Sequence, residues 1–182
     1  MAKEMAQEKE EGALVIQVES TKASCAGAAA AYLLRSIAAR AGSYAPGIEE
    51  RMFDELERLS IDLNDVERWF ATYNEQLTYL GYRFMARRVA FRTAGIVAWV
   101  KAGDGFRGAL LPTSARVMHP DEKAPADHAV GLISGGDVSK RNGVVMVDPW
   151  PGAGTIAVPA DLDEARREPR WAGLLFFWSG YS

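Results

Sequence analysis

Two kinds of periodicity divide this 182-residue chain, and their order restricts the folds open to it. Between residues 25 and 81 the apolar side chains recur at helical spacing. From residue 82 onward they come in short runs rich in β-branched and aromatic residues. Helices first and mainly strands afterwards is an α+β order, whereas an α/β domain would alternate. The first helix is predicted from about 25 to 41. Ser24 can cap it, Gly42 can end it, and its start "CAGAAAAYLL" has high helix propensity. Ala28, Ala29 and Ala30 let other backbone approach closely. That suits a buried central helix, and equally a helix whose tip lines a cleft.

The rest of the chain reads as follows. "ALVIQV" (13–18) is a short strand before that helix. A Pro-Gly turn at Pro46 and Gly47 leads to a helix over "IEERMFDELERL" (48–59). A third helix opens with Asn64 as N-cap and Glu67 completing a capping box, carries Val66, Phe70, Tyr73 and Leu77 on one stripe, and stops at Gly81. Strands follow over 82–91, 106–112, 128–134, 143–150, 154–159 and 173–180, with a short helix over 93–103 capped by Thr93 and a helical turn over 161–168. The Pro-rich, charged stretch 114–127 reads as a loop, and "GGDVSKRNG" suits the turn of a hairpin between 128–134 and 143–150. Asp161 and Asp163 are expected to cap the late helical turn. Residues 1–12 are charged and predicted to be a disordered or flexible tail, leaving 13–182 as a single domain with a helical segment at 43–81.

Composition narrows the function classes. The net charge is −3, and the basic pieces "MARRVAFR" (85–92) and "EARREPR" (164–170) are short enough to be solvated faces, so no nucleic-acid partner is expected. A single cysteine forms no internal disulfide, multi-Cys zinc site or iron–sulfur cluster, and suits a reducing compartment. "MAKEMAQEKEEG" lacks the apolar region of a secretory signal, and no apolar run approaches the roughly 20 residues that span a bilayer. The expectation is a cytoplasmic protein, or one exported without an N-terminal signal, that does not insert into membranes. The histidines and carboxylates lack HExxH-type spacing, and the Gly-rich turns lack the context of a phosphate loop, so neither a metal nor a cofactor is expected.

Thiol chemistry needs a cysteine of lowered pKa, a base beside it and a group to orient the base. Cys25 is predicted at the first turn of a helix, where free N–H groups and the dipole favour an anion. Of the two histidines, His119 lies in a Pro-flanked loop, while His128 leads a strand. Asp148 closes the next strand, so a hairpin would bring His128 and Asp148 to the same end of the sheet. Each residue alone also has a structural reading: Cys25 as small core residue, His128 as a satisfied core histidine, Asp148 as a turn-former before Pro149.

The blocks "SCAGAAAAYLL", "DHAVGLIS" and "VVMVDPWPG" resemble the three-block signature of papain-like cysteine peptidases. The similarity is greatest to the bacterial peptidases that remove double-glycine leaders from bacteriocins and to papain-like effector proteases. "DPWPG" (148–152) is the most specific block, and "AGIVAWVKAGDGFRGALLP" resembles the segment before the histidine. The resemblance implies a papain-like α+β fold, N-terminal helices packed on an antiparallel sheet, with Cys25 as nucleophile, His128 as general base and Asp148 as orienter. It implies a peptide or protein substrate, no cofactor, and a further protein contact through the tail or the helical segment. These families carry a Gln six residues before the cysteine as an oxyanion donor. Here that position is Glu19, and the nearest candidate is Gln17, eight residues back. Losing such a donor costs roughly 2.7–4 kcal/mol of transition-state stabilisation. Ala26 stands where relatives have Gly or Trp. These departures leave two alternatives to a peptidase or amidase: a degenerate papain-like binding module, and an acyltransferase, deamidase or transglutaminase-like enzyme using the same three residues.

Overall fold

In the computed structural model, which describes residues 3–10, 13–19, 25–43, 50–59, 62–120, 127–134, 143–166 and 171–182, the Ala-rich stretch forms helix α1 (Cys25–Arg40). Every residue from Cys25 to Ala39 is buried. A helix apolar on all sides belongs at the centre of a core, and α1 packs against both helices and sheet. Its one buried guanidinium, Arg35, is paired with Asp54 and Glu57 of α2 (Glu50–Arg58), as a charge removed from water requires. Gly27 permits the closest approach: a Cβ there would run into the Leu56 carbonyl of α2. The third helix, α3 (Leu63–Tyr79), buries Val66, Phe70 and Leu77 of the expected stripe, together with Leu63 and Trp69.

The strands build an antiparallel six-stranded sheet in the order β3 (Phe84–Ala90), β8 (Ala172–Trp178), β4 (Arg107–Ser114), β5 (Asp127–Ile133), β6 (Val145–Asp148), β7 (Gly154–Ala157). The fold is therefore α+β. Both sheet faces are covered. Leu110, Ala129, Ile133, Val147, Leu174, Phe176 and Trp178 share a core with α1, α2 and α3. Ala109, Leu111, Val130, Leu132, Met146 and Leu175 pack with Ile96 and Val100 of α4 (Thr93–Ala102) and with α6 (Leu162–Ala165). This two-sided burial explains why "GLLFFW" has no polar alternation: β8 is an inner strand with a core on each face. α1 sits low on β4 and β5 because Gly108 and Gly131 leave room for Leu33; a Cβ at Gly131 would lie 3.1 Å from that side chain. Among the described residues no helix is long and apolar enough to cross a membrane.

Several local expectations are corrected. Asp62, not Asn64, caps α3: it is extended and its carboxylate accepts from the Asp65 N–H at 3.0 Å. Asn64, two residues further on, instead accepts from Arg88. Thr93 is not the cap of α4. Its backbone N–H donates to Asp163, so that carboxylate caps a distant helix rather than its own. Arg166 is not on a solvated face but wholly buried. Its guanidinium faces Thr93 Oγ1 and the carbonyls of Phe91, Trp171 and Ala172 at 3.0–3.1 Å, and burial pulls its pKa down to about 10 against the pull of Asp163. The stretch expected as loop contains a short helix, α5 (Ala115–Met118). Residues 3–10, expected within a disordered tail, form strand β1 (Lys3–Glu10) antiparallel to β2 (Ala13–Glu19), because backbone hydrogen bonds along an open strand edge need no apolar side chains. The expected Ser24 cap, the Pro46–Gly47 turn and most of the 135–143 turn lie outside the described residues.

Candidate active site

The hairpin logic holds: β5 and β6 are antiparallel neighbours with Gly131 opposite Val147. That register sets Asp148, the last residue of β6, against the start of β5, where His128 is the second residue. His128 Nε2 lies 2.7 Å from Asp148 Oδ1. The Trp150 backbone N–H donates to the same oxygen at 2.9 Å, so the turn-forming reading of Asp148 and the orienting reading are both true. The other oxygen, Oδ2, lies 2.8 Å from His119 Nε2. The Asp148 carboxyl is fully shielded from water and His128 nearly so. Three donors offset the cost of burying that carboxylate.

Charge and tautomer follow from this arrangement. Burial alone would raise the Asp148 pKa, but the hydrogen bond and charge of His128, the Trp150 N–H and His119 outweigh it and hold the carboxyl below its ordinary 3.8. An ionised carboxylate only accepts, so both imidazoles present Nε2–H to it. For His128, burial lowers the pKa, yet the hydrogen bonds to Asp148 and Cys25 and their charges carry it up to about 9. Since Nε2 is taken by Asp148, the contact with the Cys25 thiol falls to Nδ1. Cys25 is the first residue of α1, and the 16-residue helix directs free N–H groups and its dipole toward it.

Trp150 walls the cluster. Its ring stacks on His119 with centroids 4.7 Å apart and 16° between planes, and meets His128 edge-on at 5.6 Å. Thr113 is the cross-strand neighbour of His128, and its buried hydroxyl has no partner among the described residues. Gln17 lies in β2, a strand packed along α1, opposite Ala6; its side chain lies outside what the structure describes. The structure thus brings Cys25, His128 and Asp148 together and adds His119, which the sequence reading set aside. β4 ends beside His128, with Thr113 opposite it, and the single turn of α5 then carries the chain to His119.

Donor atoms of His119, His128 and Asp148 lie within 4.8 Å of one another, and these are types that ligate transition metals. The N···O separations of 2.7 and 2.8 Å are those of hydrogen bonds. Two ligands on a tetrahedral zinc stand roughly 3.3 Å apart, so the residues as placed form a proton-holding cluster and would have to spread to take an ion. Comparison of the sequence with models of known protein families, and with curated proteins, finds no match.

Proposed function

We propose that the chain is a papain-like cysteine hydrolase that cleaves a peptide or amide bond. One observation carries the reading: the His128 ring lies between Asp148, which holds it at Nε2, and the Cys25 thiol at the head of a buried helix. His128, charged at neutral pH, already holds the Cys25 proton on Nδ1, so Sγ attacks the carbonyl carbon as a thiolate. The tetrahedral oxyanion is met by the Cys25 backbone N–H and by Gln17, whose strand runs beside α1. Collapse breaks the C–N bond, and His128 gives its proton to the leaving amine. Water, deprotonated by His128, then hydrolyses the thioester and restores the thiol. Asp148 holds the Nε2–H of His128 throughout, and Trp150 screens that bond from water. The helical segment 43–81, whose α2 touches the first turn of α1 at Gly27, supplies the opposite wall and the specificity. No cofactor enters these steps.

The test is the rate of Cys25 alkylation by iodoacetamide between pH 5 and 9 in the wild type, His128→Ala and Cys25→Ser. The expected result is fast reaction well below the free-thiol pKa of about 8.5, lost in His128→Ala. Because Cys25 is only 3% exposed, His128 is also titrated by NMR. Its pKa should fall in Cys25→Ser. Ordinary thiol behaviour in both reactive proteins, with a His128 titration indifferent to Cys25, would sink the proposal.

A further inference from the structure

His119 takes no part in the steps above, yet it is built into the cluster that performs them. It follows α5 directly, its backbone N–H closing that turn onto the Ala115 carbonyl at 2.7 Å. Its ring is fixed from two directions, by the stack on Trp150 and by the 2.8 Å bond to Asp148 Oδ2. The donors divide the carboxylate between them: Oδ1 serves His128 and the Trp150 N–H, and Oδ2 serves His119. An aspartate side chain turns easily about its last bond, a broad torsion with two equivalent states. With Oδ2 unengaged, the carboxylate could swing and leave Nε2 of His128 poorly held. With His119 in place, any such swing breaks bonds at both oxygens.

We infer that His119 is a positioning residue for the reaction proposed above, on which this inference rests: it locks the Asp148 carboxylate in one rotational state, so that Oδ1 stays on His128 and His128 Nδ1 stays on Cys25. The hydrogen bond, not the ring's bulk, performs this task. His119→Phe keeps a ring against Trp150 and removes the donor. His119→Gln keeps an N–H of similar reach and removes the ring. The two variants therefore separate positioning from packing.

The experiment measures the iodoacetamide rate against pH for the wild type, His119→Phe, His119→Gln and His128→Ala, each shown folded by its melting curve. It also follows the His128 Nε2–H resonance by NMR. Positioning predicts that His119→Phe slows alkylation by roughly tenfold or more, what one hydrogen bond to a charged group is worth. It also predicts that the His128 titration moves down from about 9 and that the Nε2–H resonance broadens. His119→Gln should restore most of the rate. A His119→Phe protein with the wild-type profile overturns the inference while leaving the hydrolase reading intact, provided His128→Ala is slow. A His119→Gln protein as slow as His119→Phe assigns the effect to packing and overturns it too. A His128→Ala protein as fast as the wild type removes the reaction itself and both readings with it. Should His119→Phe fail to fold, His119→Asn, whose amide falls short of Asp148, replaces it.

Discussion

Replacing Asp148 by Asn removes the charge of the site and puts an NH2 where Oδ2 accepts from His119, so that His119 must shift its ring proton to Nδ1 to keep the contact. The amide oxygen can still accept from His128 and from the Trp150 N–H, so the geometry at Oδ1 survives. What disappears is the anion that opposes the desolvation of His128. Burial lowers the pKa of that imidazole, and Asp148, ahead of Cys25, raises it from 6.5 to about 9. That gap is worth about 3 kcal/mol at most, at about 1.4 kcal/mol per pH unit. The lowered pKa of Asp148 expresses the same coupling from the other partner, so the energy is counted once. The sign follows from the raised pKa: the folded state favours charged His128, so the stabilisation is fully present below pH 6.5 and is lost as pH rises through about 9. Below the ordinary 3.8 of a carboxyl it fades again as Asp148 takes a proton. Asp148→Asn should therefore lower His128 by most of the gap, read from the ring C–H resonances. Urea-melt stability of the two proteins should differ most between about pH 4 and 6.5 and approach each other above pH 9. A His128 titration within about half a pH unit of the wild type in Asp148→Asn would refute the assignment of the shift to this carboxylate.

Two further substitutions test the scaffold. Gly131→Ala places a Cβ 3.1–3.3 Å from three atoms of Leu33. It should cost about 1–3 kcal/mol in urea melts, and much less in a Leu33→Ala background; equal costs in both would show that the contact is not the cause. Arg166→Met removes a buried cation from Thr93, three carbonyls and Asp163. The carbonyls left without a donor should destabilise the fold by about 1–3 kcal/mol or more, and a loss under about 1 kcal/mol would mean that they find other partners.

The elements themselves were legible because each carries a local signal. The Ala-rich helix, the Val66–Phe70–Leu77 stripe and the apolar strands all appear near their expected positions. The His128–Asp148 pairing was legible for the same reason, since a hairpin fixes which strand ends meet. What escaped the sequence depends on contacts between remote segments. Arg166 looks like any surface arginine until α6 is set against α4 and the start of β8. Asp163 looks like the cap of its own turn, yet it serves Thr93, 70 residues away. His119 looked idle because the short helix that carries it to Asp148 lies in a Pro-rich stretch with weak helical signal. The cap of α3 was misplaced for a subtler reason: Asp62 and Asn64 are equally good capping residues, and only the burial of Leu63 sets the phase.

The place of β8 has a consequence for how the molecule assembles. It is the seam of the sheet, pairing on one side with β3 and on the other with β4, although Phe84 and Trp178, which face each other in the first of these pairings, stand 94 positions apart in the chain (178 − 84). During synthesis, β3 and β4 emerge long before the strand that must lie between them. Until residues 172–178 arrive, each presents an open edge toward the gap. Closure of the sheet is thus a late, long-loop event, of the kind that slows folding and leaves half-made chains prone to pair with one another.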